Sequence, residues 1–450
     1  MTGAASPLLT APIGPTIIRL AAPNMIAMVV TMITLMAEAW YIGQLGTSAL
    51  AGLALAFPMM MLVMTLSGGS IGGTITGAVA RRLGAGDRSG AETLAFHAVL
   101  LVVLLAGACA LIFLLGGKKI YGLLGGSGAV LEQALAYSDV LFMGCVSLWV
   151  ANGLAAIVRA TGKMLVAAKS LVVGSVVQVM ASGVLVFGLG PFPKMGIAGA
   201  AAGIVIGYAV AAVVLVVFLM TRCAELRLRF SGMPVSLAPM AAILKVGALA
   251  SINSFCSIAA VTVITAFIAR LGVDALAGYG IGSRLEFLII PMVFGFGAAS
   301  TALVGVHFGA NEIPRAHQAG WTAAFYSAVL SGLVGGVIAV FPNLWANIFT
   351  DSEAIRAACQ TYLQIVGPFY ACFGLALCLY FASQGAGRVA WPVIASVTRV
   401  LVIFSGCIAL SRIPDVGPAP FFWLIAAGMV IQALISGTAI RLGAWTRAPH

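Results

Sequence analysis

The sequence carries too little charge to clothe a water-soluble protein of its length. Asp, Glu, Lys and Arg make up 8% of its 450 residues, where a soluble domain carries roughly 25%. Lipid must therefore cover most of the surface. Other absences narrow the function. None of the eight Cys forms a CxxC, and most lie inside apolar runs, so they read as small core residues. No HExxH, GxSxG or metal-spaced Cys/His set is present, and no Walker loop, which argues against an ATP-driven pump in this chain. No paired acids or His–Asp set fall at one depth, so an intramembrane enzyme is not expected. The first 15 residues hold no basic n-region and no cleavage-type site, and no cleaved signal peptide is expected.

What is present is apolar. Hydrophobic residues make up 62% and mean hydropathy is +1.13. Gly is abundant (54), as suits helices that pack closely without a hydrophobic drive between them. The net charge of +11 does not form a basic face. Basic residues sit singly or in pairs between apolar runs, the pattern of topology signals, so nucleic acid is not an expected partner.

Runs long enough to cross a ~30 Å hydrocarbon layer recur at 16–43, 50–78, 92–116, 131–157, 164–188, 196–220, 241–269, 275–304, 317–341, 356–383, 390–411 and 419–441. The pattern predicts an all-α integral membrane protein of twelve helices. With both termini cytoplasmic, Arg19, Arg81, Arg82, Arg88, Arg159, Lys163, Lys169, Arg222, Arg227, Arg229, Arg315, Arg388, Arg441 and Arg447 fall inside. Lys118, Lys119, Lys194, Arg270, Arg356 and Arg412 fall outside. This bias sets the expected orientation. Residues 221–240 form the longest polar connection. They read as a cytoplasmic linker between an amino-terminal lobe, 1–220, and a carboxyl-terminal lobe, 241–450.

The halves repeat. YIGQLGTSALAG at 41–52 matches FIARLGVDALAG at 267–278, an offset of 226. Gly84-Ala85-Gly86-Asp87 matches Gly309-Ala310-Asn311-Glu312, Tyr137 matches Tyr362 and Gly162 matches Gly387, all at 225. Six helices per half is even, so both halves share one orientation and the pseudo-two-fold runs along the membrane normal. A transporter of this design binds substrate between its halves and rocks them.

Several motifs in order carry a family resemblance over roughly residues 12–440. They are Glu38-Ala39-Trp40-Tyr41-Ile42-Gly43, Arg81-Arg82-Leu83-Gly84-Ala85-Gly86, Arg159-Ala160-Thr161-Gly162-Lys163, Arg284-Leu285-Glu286, His307-Phe308-Gly309-Ala310-Asn311 and Gln384-Gly385-Ala386-Gly387-Arg388. The set resembles the multidrug and toxic compound extrusion (MATE) family in its prokaryotic DinF/NorM-like form. The resemblance implies V-shaped lobes in a plasma (inner) membrane and rocker-type alternating access. It implies export of small amphipathic, often cationic compounds in exchange for H⁺ or Na⁺. A monomer is expected, with lipid around it and no cofactor beyond the coupling ion. The alternative is a flippase or exporter of lipid-linked cargo, which the few basic residues at depth disfavour.

An ionisable side chain at membrane depth costs at least ~2.5 kcal/mol and needs a reason. Glu38 lies five residues before the outer end of the first helix, about 8 Å along its axis. It is expected to be screened from water yet reachable from outside, suited to take and release a proton. A carboxylate at the outer headgroup boundary is the plainer reading. Glu38 also stands where the family has its coupling carboxylate, with Glu in place of Asp. Where the family has Asn and Asp four apart on the fifth helix, this chain has Gln178 and Ser182. That spacing keeps both on one face, but the second acid is gone. A single carboxylate favours H⁺ over Na⁺, although Thr34, Ser182 and backbone carbonyls leave an ion cage open. Tyr137 begins the fourth helix at the depth of Glu38. It reads as a hydrogen-bond partner for that carboxyl or as an interfacial belt residue.

In the second half, 253–263 and 370–380 hold no acid where some relatives carry one. Arg284, Glu286 and Arg399 do lie in apolar runs, with Arg284 nine residues into its helix, about 13 Å deep. Residues i and i+2 face apart on a helix. Glu286 is therefore expected to pair with Arg399 or a neighbouring helix, in a mainly structural network whose rival reading is a second coupling site. Pro23 is expected to bend the first helix. The Met59–Met61 cluster and Met64 read as core or as a forgiving cavity lining. His97 is expected to be hydrogen-bonded internally. At an offset of 226 Glu38 falls on Ile264, so coupling chemistry is expected in the first half alone.

Overall fold

A computed structural model describes residues 7–228 and 234–446. Among these, the long helices are α1 (Ile13–Gly43), α2 (Thr47–Gly84), α3 (Arg88–Leu123), α4 (Gly128–Met143 and Cys145–Ala160), α5 (Met164–Phe187), α6 (Ile197–Thr221), α7 (Leu237–Leu271), α8 (Val273–Gly309), α9 (Ile313–Val340), α10 (Glu353–Ala386), α11 (Ala390–Leu410) and α12 (Ala419–Arg441). Eleven are each long and apolar enough to cross a membrane, and α4 makes twelve when its two segments, bent by 50°, count as one span. Each helix covers one expected apolar run to within a few residues. The largest excess is at the carboxyl-terminal end of α3, which runs seven residues past 116 and takes in Lys118 and Lys119. Lysine stems can lie along apolar surface while their ammonium groups reach water, so charge need not end a helix there.

Several interruptions depart from uniform spans. Helix α4 breaks at Gly144. Helix α2 passes through π-helical turns over Thr65–Ile71, where Asn152 donates to Ser67 at 2.9 Å. Helix α8 is broken by a turn at Arg284 and Leu285, so that one segment ends at Ser283 and the next starts at Glu286. Pro23 lies within α1, which stays helical from Ile13 to Gly43. Arg229 and Arg447, two of the charges assigned to the inside, lie outside the described residues.

The chain divides into two compact units. One holds the described residues of Ile26–Lys245, the other those of Ala4–Met25 and Val246–His450. Helix α1 thus contributes Pro23 to the second unit and Glu38 to the first. The linker packs with the first unit through both ends. Arg227 N–H donates to Glu92 Oε1 at 3.0 Å, and Ser236 N–H donates to His97 Nε2 at 2.9 Å. His97 is bonded a second time, Nδ1 to Thr93 O at 2.8 Å. Lys163 pairs with Glu225 at 2.9 Å. Partial burial opposes the charge on Glu225, but Lys163, a backbone N–H and the Cys223 thiol together hold that carboxyl below its usual range.

The repeat is written into the packing of each unit. Thr76 Oγ1 donates to Ala156 O at 3.0 Å in the first; Thr301 Oγ1 donates to Phe381 O at 2.9 Å in the second. A Cβ on Gly52 would stand 2.9 Å from Ala134 N, and one on Gly278 would stand 2.8 Å from Cys359 N. Both pairs keep the offsets of 225–226 read from the sequence. The bend in α4 has its counterpart in a 3₁₀ turn at Gly367–Phe369 of α10. Leu104, Leu111 and Leu115 on α3 are among many large apolar side chains left exposed, as expected of a surface facing lipid.

Candidate functional site

The first unit places one carboxyl in its interior. Glu38, on the last turns of α1, is 3% exposed. Two helices deliver a donor to it, one for each oxygen. Tyr137, fully buried at the middle of the first α4 segment, donates its hydroxyl to Oε1 at 3.0 Å. Gln178 on α5 donates Nε2–H to Oε2 at 3.1 Å. The Tyr137 hydroxyl also lies 3.2 Å from Met60 Sδ on α2. It has one proton. That proton points to a charged carboxylate, the stronger acceptor. Once Glu38 is protonated, its own O–H can donate to the phenol oxygen, and the phenol proton can turn to the sulfur. The site can therefore hold its carboxyl in either state with hydrogen bonds made, which a buried polar group requires.

Thr34 lies one turn before Glu38 and Ser182 one turn after Gln178. Their hydroxyls are engaged elsewhere: Thr34 donates to Val30 O at 2.9 Å, and Ser182 donates to Ala200 O on α6 at 3.3 Å. Both are buried, and neither donates to Glu38. A small hollow lined by Thr31, Ser175, Gln178 and Tyr208 opens beside the amide of Gln178. Met60 and Tyr208 were not singled out by sequence reasoning. Met60 stood only in a run of Met residues, and Tyr208 carries no positional signal in an apolar helix.

Replacing Tyr137 by Phe keeps the ring and removes one of two donors to the charged carboxyl, a loss of about 1.5–3 kcal/mol for that form. Substrate-linked proton release in proteoliposomes is expected to slow by roughly 10- to 100-fold. An unchanged rate would mean that the hydroxyl serves packing only.

Of the charge network expected in the second unit, Glu286 meets a neighbouring helix, while no ion pair with Arg399 is made among the described residues. Neither Arg284, Glu286 nor Arg399 takes part in an ion pair among the described residues. The turn at Arg284 and Leu285 separates the first two. Arg284 is exposed, its guanidinium over the Phe349 ring at 5.6 Å. Glu286 starts the next segment and accepts from Tyr362 on α10 at 3.3 Å. Arg399 on α11 donates Nη1–H to Gln432 Oε1 on α12 at 3.1 Å. Gln432 in turn donates to Ser396 at 3.0 Å. Helix breaks and side-chain rotation decided these partners, and neither is visible in residue spacing.

A model of the MatE family matches residues 23–184 and 250–408, one stretch in each half. The chain is 24% identical over 412 residues to a protein of Shewanella oneidensis named FAD transporter, covering 91% of this chain and 90% of that one. It is 26% identical over 382 residues to the probable multidrug resistance protein NorM of Thermotoga maritima, covering 84% and 81%. Among solved structures, it matches a MOP superfamily transporter from Pyrococcus furiosus over 100% of both chains, with a TM-score of 0.90 and 22% identity. An outward-facing MATE family transporter matches equally fully, with a TM-score of 0.89 and 22% identity.

Proposed function

Because this chain belongs to the MatE family, we propose that it is a secondary active exporter of small amphipathic, chiefly cationic compounds, driven by H⁺ entering in exchange through rocker-type alternating access. The orientation that goes with this reading puts both termini on the cytoplasmic side of the plasma membrane. The supporting observation is Glu38, buried with a phenol on one oxygen and a primary amide on the other. Both neighbours present hydrogens to the carboxyl, an arrangement that suits proton exchange better than an oxygen cage around Na⁺. Protonation of Glu38 from the outer side releases substrate and resets the transporter. Relatives bearing multidrug-resistance names support the cargo class.

The test uses purified protein in liposomes with ethidium as cargo. A pH gradient alone is expected to move ethidium toward the acid side, with or without Na⁺. Movement driven by a Na⁺ gradient at equal pH on both sides would overturn proton coupling.

A second reading, anionic cargo, has its own support. Arg399 is buried, and its Nε has no hydrogen-bond partner among the described residues. A buried guanidinium edge beside Gln432 suits a phosphate or carboxylate, and one relative is named for FAD. Offering FAD in place of ethidium in the same liposomes separates the two.

A further inference from the structure

The two units use one tyrosine position to meet a carboxyl on different helices. The offset of 226 that aligns 41–52 with 267–278 sets Ile264 opposite Glu38 and Glu286 opposite Met60. Tyr362 stands opposite Tyr137. In the first unit the Tyr137 hydroxyl lies between Glu38 on α1, at 3.0 Å, and Met60 on α2, at 3.2 Å. In the second unit the Tyr362 hydroxyl reaches Glu286 on α8, the helix equivalent to α2, at 3.3 Å. The α1-equivalent position holds Ile264, buried in the same core cluster as Tyr362. The carboxyl has changed helix while keeping its phenol.

The surroundings of Glu286 are built rather than incidental. Tyr362 and Tyr370 are fully buried and their hydroxyls lie 3.2 Å apart, so a chain of two phenols leads away from the carboxyl. Tyr279 packs edge-on against Tyr362 at 5.5 Å. Gly282, one turn before Glu286, lies where a Cβ would run into the Tyr362 ring. The charged and titratable groups facing Glu286 are Tyr279 on α8, Tyr362 and Tyr370 on α10 and, within electrostatic range, Arg399 on α11. Glu286 Oε2 takes no hydrogen bond among the described residues. A structural ion pair would have brought Arg399 onto the carboxyl; instead Arg399 bonds Gln432.

We propose that Glu286 is a second proton-binding carboxyl, held by Tyr362, which takes a proton and returns it in the transport cycle as the transposed counterpart of Glu38. The proton arrives from water at a Glu286 oxygen and leaves to water on the other side; no bond other than O–H forms or breaks. The proposal rests on the proton-coupled reading of Glu38, and the test separates the two.

Infrared difference spectra across a pH step, recorded on the protein in liposomes, report each carboxyl by its C=O stretch. Proton release on adding ethidium is counted in the same preparation. Glu286→Gln is expected to remove one titrating carboxyl band and lower the proton count roughly twofold. Glu38→Gln is expected to remove a different band, and the double variant both. Tyr362→Phe keeps the ring against Gly282 and is expected to shift the Glu286 band without removing it. This variant carries the test if Glu286→Gln does not fold. Spectra and proton counts unchanged in Glu286→Gln, or a band unmoved in Tyr362→Phe, overturn the proposal while Glu38 keeps its role. If the wild type releases no protons, the coupled reading of Glu38 fails and this proposal falls with it.

Discussion

Glu38→Gln is expected to leave the protein folded but nearly without uphill ethidium transport. The amide fills the space of the carboxyl, Tyr137 can still donate to its oxygen, and Gln178 can turn its own amide to accept from the new NH₂. What is lost is the difference between two protonation states. A proton gradient acts only through a difference in affinity between conformations, and Gln has no proton to gain or lose. Uphill transport is expected to drop on the order of 10²-fold, the factor that ~2.7 kcal/mol of proton-dependent preference supplies. Ethidium binding in detergent is expected to weaken, because the variant resembles the protonated state from which substrate is released. Uphill export at the wild-type rate would exclude Glu38 as the coupling group.

The second large effect concerns packing. Val in place of Gly52 or Gly278 is expected to lower the melting temperature of the purified protein sharply, and by similar amounts at the two sites. At each, the added Cβ meets a neighbouring helix backbone, Ala134 N in one unit and Cys359 N in the other. Backbone cannot rotate away as a side-chain tip can, so the helices must separate. Overpacking of this kind costs typically 1–3 kcal/mol, and small residues at helix contacts are what allow close approach in a membrane. A normal melting temperature for either variant would show that the α2–α4 or α8–α10 contact can yield without cost.

The likeness of these two glycines explains why so much of the fold is legible in the chain. Helix number follows from the length of apolar runs, and Gly52 with Gly278, Thr76 with Thr301 and Tyr137 with Tyr362 recur at one spacing. Those are one-dimensional properties. Glu38 is legible for the same reason, as an acid in a run that should contain none. Depth made Tyr137 a candidate partner for it beside an interfacial reading, and the bond itself is seen only in the folded chain.

Other features depend on how the helices turn and bend against one another. Thr34 and Ser182 share helix faces with Glu38 and Gln178, yet their hydroxyls serve Val30 and Ala200. A short hydroxyl close to its own backbone, or to a helix in contact, finds a carbonyl there first. Met60 enters the site only because α2 brings it under the Tyr137 hydroxyl. Arg284 and Glu286 sit two apart in the sequence, and a turn between them sends one to Phe349 and the other to Tyr362. The sequence by itself determined a twelve-span, two-fold repeated membrane protein with a carboxyl buried near one end of its first helix. Only the tertiary structure decided which hydrogens meet that carboxyl, and that the second unit carries its own on a different helix. Hydrophobic length and repeat spacing are fixed along the chain, whereas side-chain partners are fixed by helix rotation and by breaks such as those at Gly144 and at Arg284–Leu285.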